Sequence, residues 1–491
     1  MARWFSLGKL SVPATMLSAA GLATLVSALG AGTSLSALGA SNSPPALGAA
    51  TLPSALGAGT LHSAAIAVAQ GTPIPTPGFA TLHTFAGGRD AEEPCGGPLV
   101  DREGNILVSL YFATRPPNQG ALFELNPSAG RYSDSIMRAI APEAGRPCAS
   151  PFENEKGELF LTTIAGGQTT GHAALLKLVP TANGYRESAR SQLGYRARTH
   201  PGVLRPSGVG SLYGPAIERG STLYLSAGPG GAYGAGAILA LREGDLTYTS
   251  VYDFRGTVRS PQRSSDGFWP MPGLIADDSG ALYGATLRGG SQSVGTVFEV
   301  VPARRGGSER VLWTFHKSDG ALPTGGLVRA ANGALYGTTL GGGKYDKGVV
   351  FELTPGKGGY RERLLHEFRG SPDGAYPSAG LTLLHGVLYG TTQLGGSPDD
   401  CDVTTFYNES ARSRGCGTLF SLSTSGRDYA VLHRFNGADG ADPASSLVAS
   451  RDALYGVTLM VPTRAGGHRG TIYRFVPARS IQNAPVGNPG E

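Results

Sequence analysis

Residues 316–368 read HKSDGALPTGGLVRAANGALYGTTLGGGKYDKGVVFELTPGKGGYRERLLHEF. The Leu-Tyr-Gly-Thr at Leu335 returns as Leu-Tyr-Gly followed by Ala, Thr or Val at Leu282, Leu388 and Leu454. Looser copies place Ile106, Leu159 and Leu223 at the same point, so successive steps from Ile106 are 53, 64, 59, 53, 53 and 66 residues. A period of roughly 50 residues rich in strand formers is the signature of a radially repeated sheet. Each unit holds four runs of alternating β-branched, aromatic or Leu residues with small or polar ones. Gly, Pro, Asn, Asp or Ser lie between them, the pattern of short strands joined by turns. In the sixth unit the runs are SAGLTLL, VLYGTTQ, GTLFSLS and YAVLHRF. The Gly-Gly after Thr-Thr supplies the positive φ that a hairpin needs.

A four-stranded sheet this short cannot bury two faces by itself, whereas radial stacking buries both. A linear β-solenoid is the competing arrangement, and the chain ends argue against it. The seventh unit stops after GTIYRFVP without a fourth strand, and FATLHTF at Phe79–Phe85 matches the missing YAVLHRF. The expectation is an all-β, seven-bladed propeller of four antiparallel strands per blade, with the N-terminal strand closing the last blade. The propeller should span 79–477, after a signal and low-complexity segment at 1–69 and a linker at 70–78, and before a disordered tail at 478–491.

The strings LYGTT, GG, G(T/V)(V/L)F and LTP resemble the bacterial GloVer-type, or choice-of-anchor, tandem-repeat family. The likeness runs over nearly the whole mature chain and is most specific in units four to six. It implies a secreted or surface propeller and no particular activity. The tail SIQNAPVGNPGE departs from the apolar anchors after which such families are named.

Arg3 and Lys9 precede an Ala/Leu-rich stretch, as in a secretory signal, and a nine-residue stutter (SALGAGTSL, SALGASNSP, PALGAATLP, SALGAGTLH) follows. Cleavage is expected after Ala69, giving a secreted or periplasmic protein with no membrane span after processing. Charged residues make up 16% of the chain and net charge is +5 without a basic run, which argues against a nucleic-acid partner. Four cysteines in an exported chain should pair. Cys401 and Cys416 bracket an insertion in unit six. Cys95 and Cys148 occupy one slot in adjacent units, where innermost strands approach each other. No C-x-x-C spacing points to a metal.

Three features are candidates for function. The first is Asp90, Asp266, Asp319, Asp373 and Asp439, mostly in Asp-Gly-Ala-x-Pro, at the loop entering each blade. They could form a rim of carboxylates for a cation, but repetition favours turn formers. The second is the fourth-strand slot of His83, His366 and His433, filled by Tyr252 and Trp313 elsewhere, which reads as flat packing between blades. The third is broken symmetry: the long loops at Arg255–Trp269, Cys401–Cys416 and Gly184–Ser221. They offer Arg259, Arg263, Trp269, Tyr407 and Arg412, residue types that dominate binding hot spots. No nucleophile elbow, phosphate loop or haem motif occurs, and no cofactor is expected. The reading is a monomeric, non-catalytic module for an envelope glycan or protein partner. A hydrolase or lyase with its site at the axial mouth is the alternative.

Overall fold

The computed structural model describes residues 78–85, 92–113, 119–128, 131–140, 145–164, 173–182, 184–192, 214–228, 230–256, 264–304, 306–397, 401, 415–460 and 469–478. These form seven small antiparallel sheets and no helix. The architecture is a seven-bladed β-propeller. Blade 5 shows the plan from axis to edge: Val328–Arg329, Leu335–Thr339, Val349–Gly356 and Gly359–Glu367, each paired to the next. The Leu-Tyr-Gly-Thr-Thr strand is buried at every residue, because it lies between two strands and two neighbouring blades. Its alternation therefore serves two buried faces, as in strands covered on both sides.

Closure occurs as the sequence implied. Gly78–Thr84 pairs antiparallel with Thr471–Val476 and is the outermost strand of blade 7. No blade is left with an open edge at the join.

One latch recurs at the seams between blades. The residue before proline in Asp-Gly-Ala-x-Pro and its counterpart in Gly-Phe-Trp-Pro holds a positive φ: Trp269, Leu322, Tyr376 and Asp442, at 65°, 58°, 59° and 55°. For a non-glycine residue this costs about 1–2 kcal/mol. The turn aims its N–H at the preceding blade, where Ala235, Val294, Lys347 and Cys416 accept at 2.7, 2.7, 2.8 and 3.0 Å. The next residue in each case is a glycine opening a third strand, and the proline ring lies where its Cβ would be: Gly236 with Pro270, Gly295 with Pro323, Gly348 with Pro377, Gly417 with Pro443. Gly120 with Pro147 and Gly470 with Pro94 repeat this last contact, so it extends through the closing seam. The same glycine carbonyls accept the N–H of the residue ending their own fourth strand, as Gly348 does from Phe368 at 3.0 Å. Those terminal phenylalanines then pack edge-on against the next blade, Phe315 on Phe351 at 5.1 Å and Phe368 on Phe420 at 5.3 Å between centroids. Such aromatic pairs add about 0.5–1.5 kcal/mol beyond their buried area.

Both disulfides expected from the sequence are present. Cys95–Cys148 ties blades 1 and 2, each cysteine directly following a latch proline, with Cα atoms 4.6 Å apart. Cys401–Cys416 closes the blade 6 insertion, with Cα atoms 5.3 Å apart. One expected loop is shorter than its sequence suggested. Within Gly184–Ser221, residues Gly184–Gln192 form the outer strand of blade 2 and Ile217–Arg219 the innermost strand of blade 3. Their polar alternation suits an edge strand with one solvated face.

Two substitutions test the latch. Gly348 has φ +91°, and a Cβ there would lie 2.7 Å from Pro377 Cδ and against Thr339 O. Gly348→Ala should therefore cost on the order of 1–3 kcal/mol in urea unfolding. Gly358→Ala, where a Cβ meets nothing within 4 Å, should stay within about 0.5 kcal/mol of the parent. Equal effects at the two sites would reject the latch. For closure, deleting residues 70–86 should abolish the cooperative melting transition instead of trimming a tail.

Candidate functional site

The connections between second and third strands and those between blades emerge on the same rim. Gly290 N–H donates to Ser264 O at 2.9 Å, and Gly343 N–H to Lys317 O at 2.9 Å, each joining the two loop types. The three symmetry-breaking stretches are connections of these two types: those entering blades 3 and 4 and the one between the second and third strands of blade 6. Arg259, Arg263, Tyr407 and Arg412 lie outside the described residues, as does Asp90. Trp269 is placed differently from the loop expected of it. It lies in the strand Phe268–Pro270, where its half-buried ring packs on the core between blades 3 and 4.

The four described aspartates point inward, each into its own turn. Asp266, Asp319, Asp373 and Asp439 accept the N–H of Arg255, His316, Arg369 and Asn436 at 2.9, 2.7, 2.9 and 2.9 Å. In each case the donor is the residue after the fourth-strand phenylalanine. Asp266 also accepts from Tyr252 Oη at 2.8 Å, Asp373 bonds His366 Nε2 at 3.1 Å and Asp439 bonds His433 Nε2 at 2.8 Å. The histidine and aspartate features, read separately in the sequence, thus meet as one clasp at the end of the blade. Among the described residues no group of three or more His, Cys, Asp or Glu is placed to hold a metal ion.

Each clasp is covered by the next blade's fourth strand. Tyr429 stacks on His366 at 3.7 Å and Phe79 on His433 at 3.6 Å, nearly parallel in both cases. Glu309 and Glu362 hold this covering position in blades 4 and 5. Burial pushes both carboxyls up to about 7, helped by Asp266 beside Glu309 and by Asp319 beside Glu362, while Tyr252 and then Arg255 oppose the shift of Glu309. One oxygen of each is buried without a hydrogen-bond partner, which disfavours the charged form.

The rim's outward side chains come from the tips of the second-to-third strand loops. Among the described residues the exposed large hydrophobics are Tyr233, Val301 and Tyr345. The two tyrosines hold one position in GGAY and GGKY, three residues before the latch glycines Gly236 and Gly348. Gln292 in GGSQ holds it in the blade between. Tyr233, Gln292 and Tyr345 therefore form a row across blades 3, 4 and 5. Tyr345 is flanked by Lys344 Nζ at 5.5 Å and by Arg369, from the loop entering blade 6, at 5.6 Å from the ring centroid. Neither tyrosine was singled out in the sequence. The available signal was a bulky residue in a hairpin tip that needs none for its turn.

The axis holds a cavity of about 280 Å³ reached by all seven blades, with Gly97, Ser150, Pro215, Gly273, Thr324 and Ser446 among its lining. Among the described residues no titratable side chain lines it.

Residues 204–406 match the Gloeobacter/Verrucomicrobia repeat. The match covers blades 3 to 5 and the inner half of blade 6, where LYGTT is most regular. No curated protein matches the chain. Similar solved structures include a chain of a nidogen/laminin complex (13% identity, 63% of this chain, 90% of that chain, TM-score 0.34). Another is TolB from Acinetobacter baumannii (12% identity, 55% of this chain, 54% of that chain, TM-score 0.32). A protein from Lactobacillus plantarum is a third (12% identity, 70% of this chain, 84% of that chain, TM-score 0.38).

The raised carboxyls set a pH dependence. Their folded-state values stand above the ordinary 4.5, so the folded chain holds extra protons and their contribution is complete below about pH 4.5. It is lost as pH rises through about 7. The melting temperature should fall between pH 5 and pH 8, and Glu309→Gln with Glu362→Gln should flatten that fall. An unchanged slope in the double variant would show that the carboxyls are not its source.

Proposed function

We propose that this protein is an exported, non-catalytic binding module that engages a glycan or protein partner at the cell envelope through the rim described above. One observation carries the reading: both exposed tyrosines, Tyr233 and Tyr345, occupy the same hairpin-tip position on that rim. Strand side chains are used up in packing between blades, and the aspartates in their own turns. The tips and the symmetry-breaking loops are what remains to discriminate a ligand. Arg259 and Arg263 before blade 4, with Tyr407 and Arg412 in blade 6, belong to connections on either side of blade 5 and are the candidates to add to this surface.

The alternative, hydrolysis or elimination at the axial mouth, requires a positioned acid or base. The cavity lining consists of glycine, proline, small hydroxyl and aliphatic residues, which favours binding over chemistry there. Two disulfides suit an oxidising compartment. Among the described residues no helix is long and apolar enough to cross a membrane. Both facts are compatible with export; the proposed signal at 1–69 lies outside the described residues.

A glycan array run beside chromogenic esters and glycosides provides the test. Tyr233→Ser with Tyr345→Ser should weaken binding to the best array ligand at least about tenfold, the scale of one lost hot spot, with melting temperature unchanged. Undiminished binding by this double variant, or turnover of a chromogenic substrate, would move the site off the rim.

A further inference from the structure

Resting on that rim reading, we infer that the row Tyr233–Gln292–Tyr345 is a platform for an acidic polysaccharide, with a carboxylate-bearing sugar seated at the blade 5 end between Lys344 and Arg369. The row follows the arc of the rim: three exposed side chains at one position in three consecutive blades. An amphipathic ring, an amide and a second ring suit a chain of pyranoses, whose C–H faces lie on aromatic rings while hydroxyls meet polar groups. A folded protein partner would want roughly 800 Å² per side with an apolar centre. The described rim offers separated rings instead.

The charge argument is specific to blade 5. Lys317 is paired with Asp346 at 3.0 Å. Lys347 donates to Tyr376 Oη at 2.5 Å. Lys344 and Arg369 are exposed and differ from these: each approaches the face of Tyr345 and neither has an ion pair with a described carboxylate. The nearby Glu367 carboxylate is turned to the backbone N–H of Lys344 at 2.8 Å and not to its ammonium. Two cations of blade 5, one at its hairpin tip and one just past its fourth strand, thus flank one exposed ring, with net positive charge at that point of the row. A uronate on Tyr345 would bring its carboxylate between an ammonium and a guanidinium, and the guanidinium can bind it through two parallel N–H groups. The blade 3 end has Ala232 beside Tyr233 and offers stacking alone.

Titration calorimetry with the full chain tests this, using polygalacturonate, its methyl ester, dextran and poly-glutamate. Polygalacturonate should bind at least tenfold more tightly than its methyl ester at low salt, and the preference should shrink at 0.5 M NaCl, where exposed charges are screened. Lys344→Gln with Arg369→Gln should equalise acid and ester while leaving ester binding within twofold, and Tyr345→Ser should weaken both. Melting temperatures of all variants should match the parent, since these side chains are exposed. Equal affinity for acid and ester in the parent overturns the acidic ligand but leaves the rim reading standing. A preference that survives Lys344→Gln with Arg369→Gln overturns the assignment to this cluster. Poly-glutamate bound as tightly as polygalacturonate reassigns the site to acidic peptide and overturns the glycan. No binding of any polymer overturns the inference; loss of the rim reading would instead show as binding unaffected by Tyr233→Ser with Tyr345→Ser.

Discussion

The structure depends on the close approach between the glycine that opens a third strand and the proline that begins the next blade. Blades can stack only as closely as their backbones allow, and a methyl group at that glycine would overlap the proline ring. The pre-proline residue is bent to positive φ so that its N–H reaches back across the seam, a local cost offset by a hydrogen bond and by the docked ring. The glycine carbonyl in turn anchors the end of its own fourth strand. One small residue therefore sets both the spacing between blades and the length of each blade. The unit motif joins features that act on opposite sides of a seam: the glycine serves the blade behind and the Asp-Gly-Ala-x-Pro turn serves the blade ahead.

A ring built from such pairwise contacts has no stable end, so closure is the next requirement. The Gly78–Thr84 strand supplies the seventh blade's edge, and Phe79 covers the His433 clasp as Tyr429 covers that of His366. The closing seam uses the same chemistry as an internal one. Blades 1 and 2, whose repeats are the most degenerate, carry a disulfide directly after their latch prolines, a covalent tie where the sequence pattern is weakest.

The same economy leaves the rim as the surface free to vary. A repeated strand has each side chain committed to a neighbouring sheet, and a repeated aspartate is committed to its own turn and its histidine or tyrosine. Hairpin tips face solvent, so Tyr233, Gln292 and Tyr345 can differ from blade to blade without disturbing the stack. The covering position over each clasp tolerates variation of another kind: an aromatic ring in blades 6 and 7 and a carboxylic acid in blades 4 and 5. The latter places carboxyls raised by burial in two adjacent seams, while the stacked rings fill the others by aromatic packing.

The sequence by itself determined the blade count, the strand order within a blade, the circular closure and the disulfide pairing. Each of these follows from periodicity or from matching slots in successive units, which a linear string displays directly. It also pointed to the aspartates as turn formers, since a structural turn recurs in every unit. The partners of those turns were decided only by tertiary structure. That Asp373 meets His366, that Pro377 docks on Gly348 and that Glu362 covers the clasp of the preceding blade are contacts set by the angle between sheets, for which no residue spacing is diagnostic. Trp269 reads as an exposed loop anchor in the string and turns into the core because its backbone must serve the seam. Tyr345 reads as an ordinary hairpin residue and is brought beside Arg369 at the end of its own blade's fourth strand, because the third and fourth strands pair with Val349 opposite Glu367.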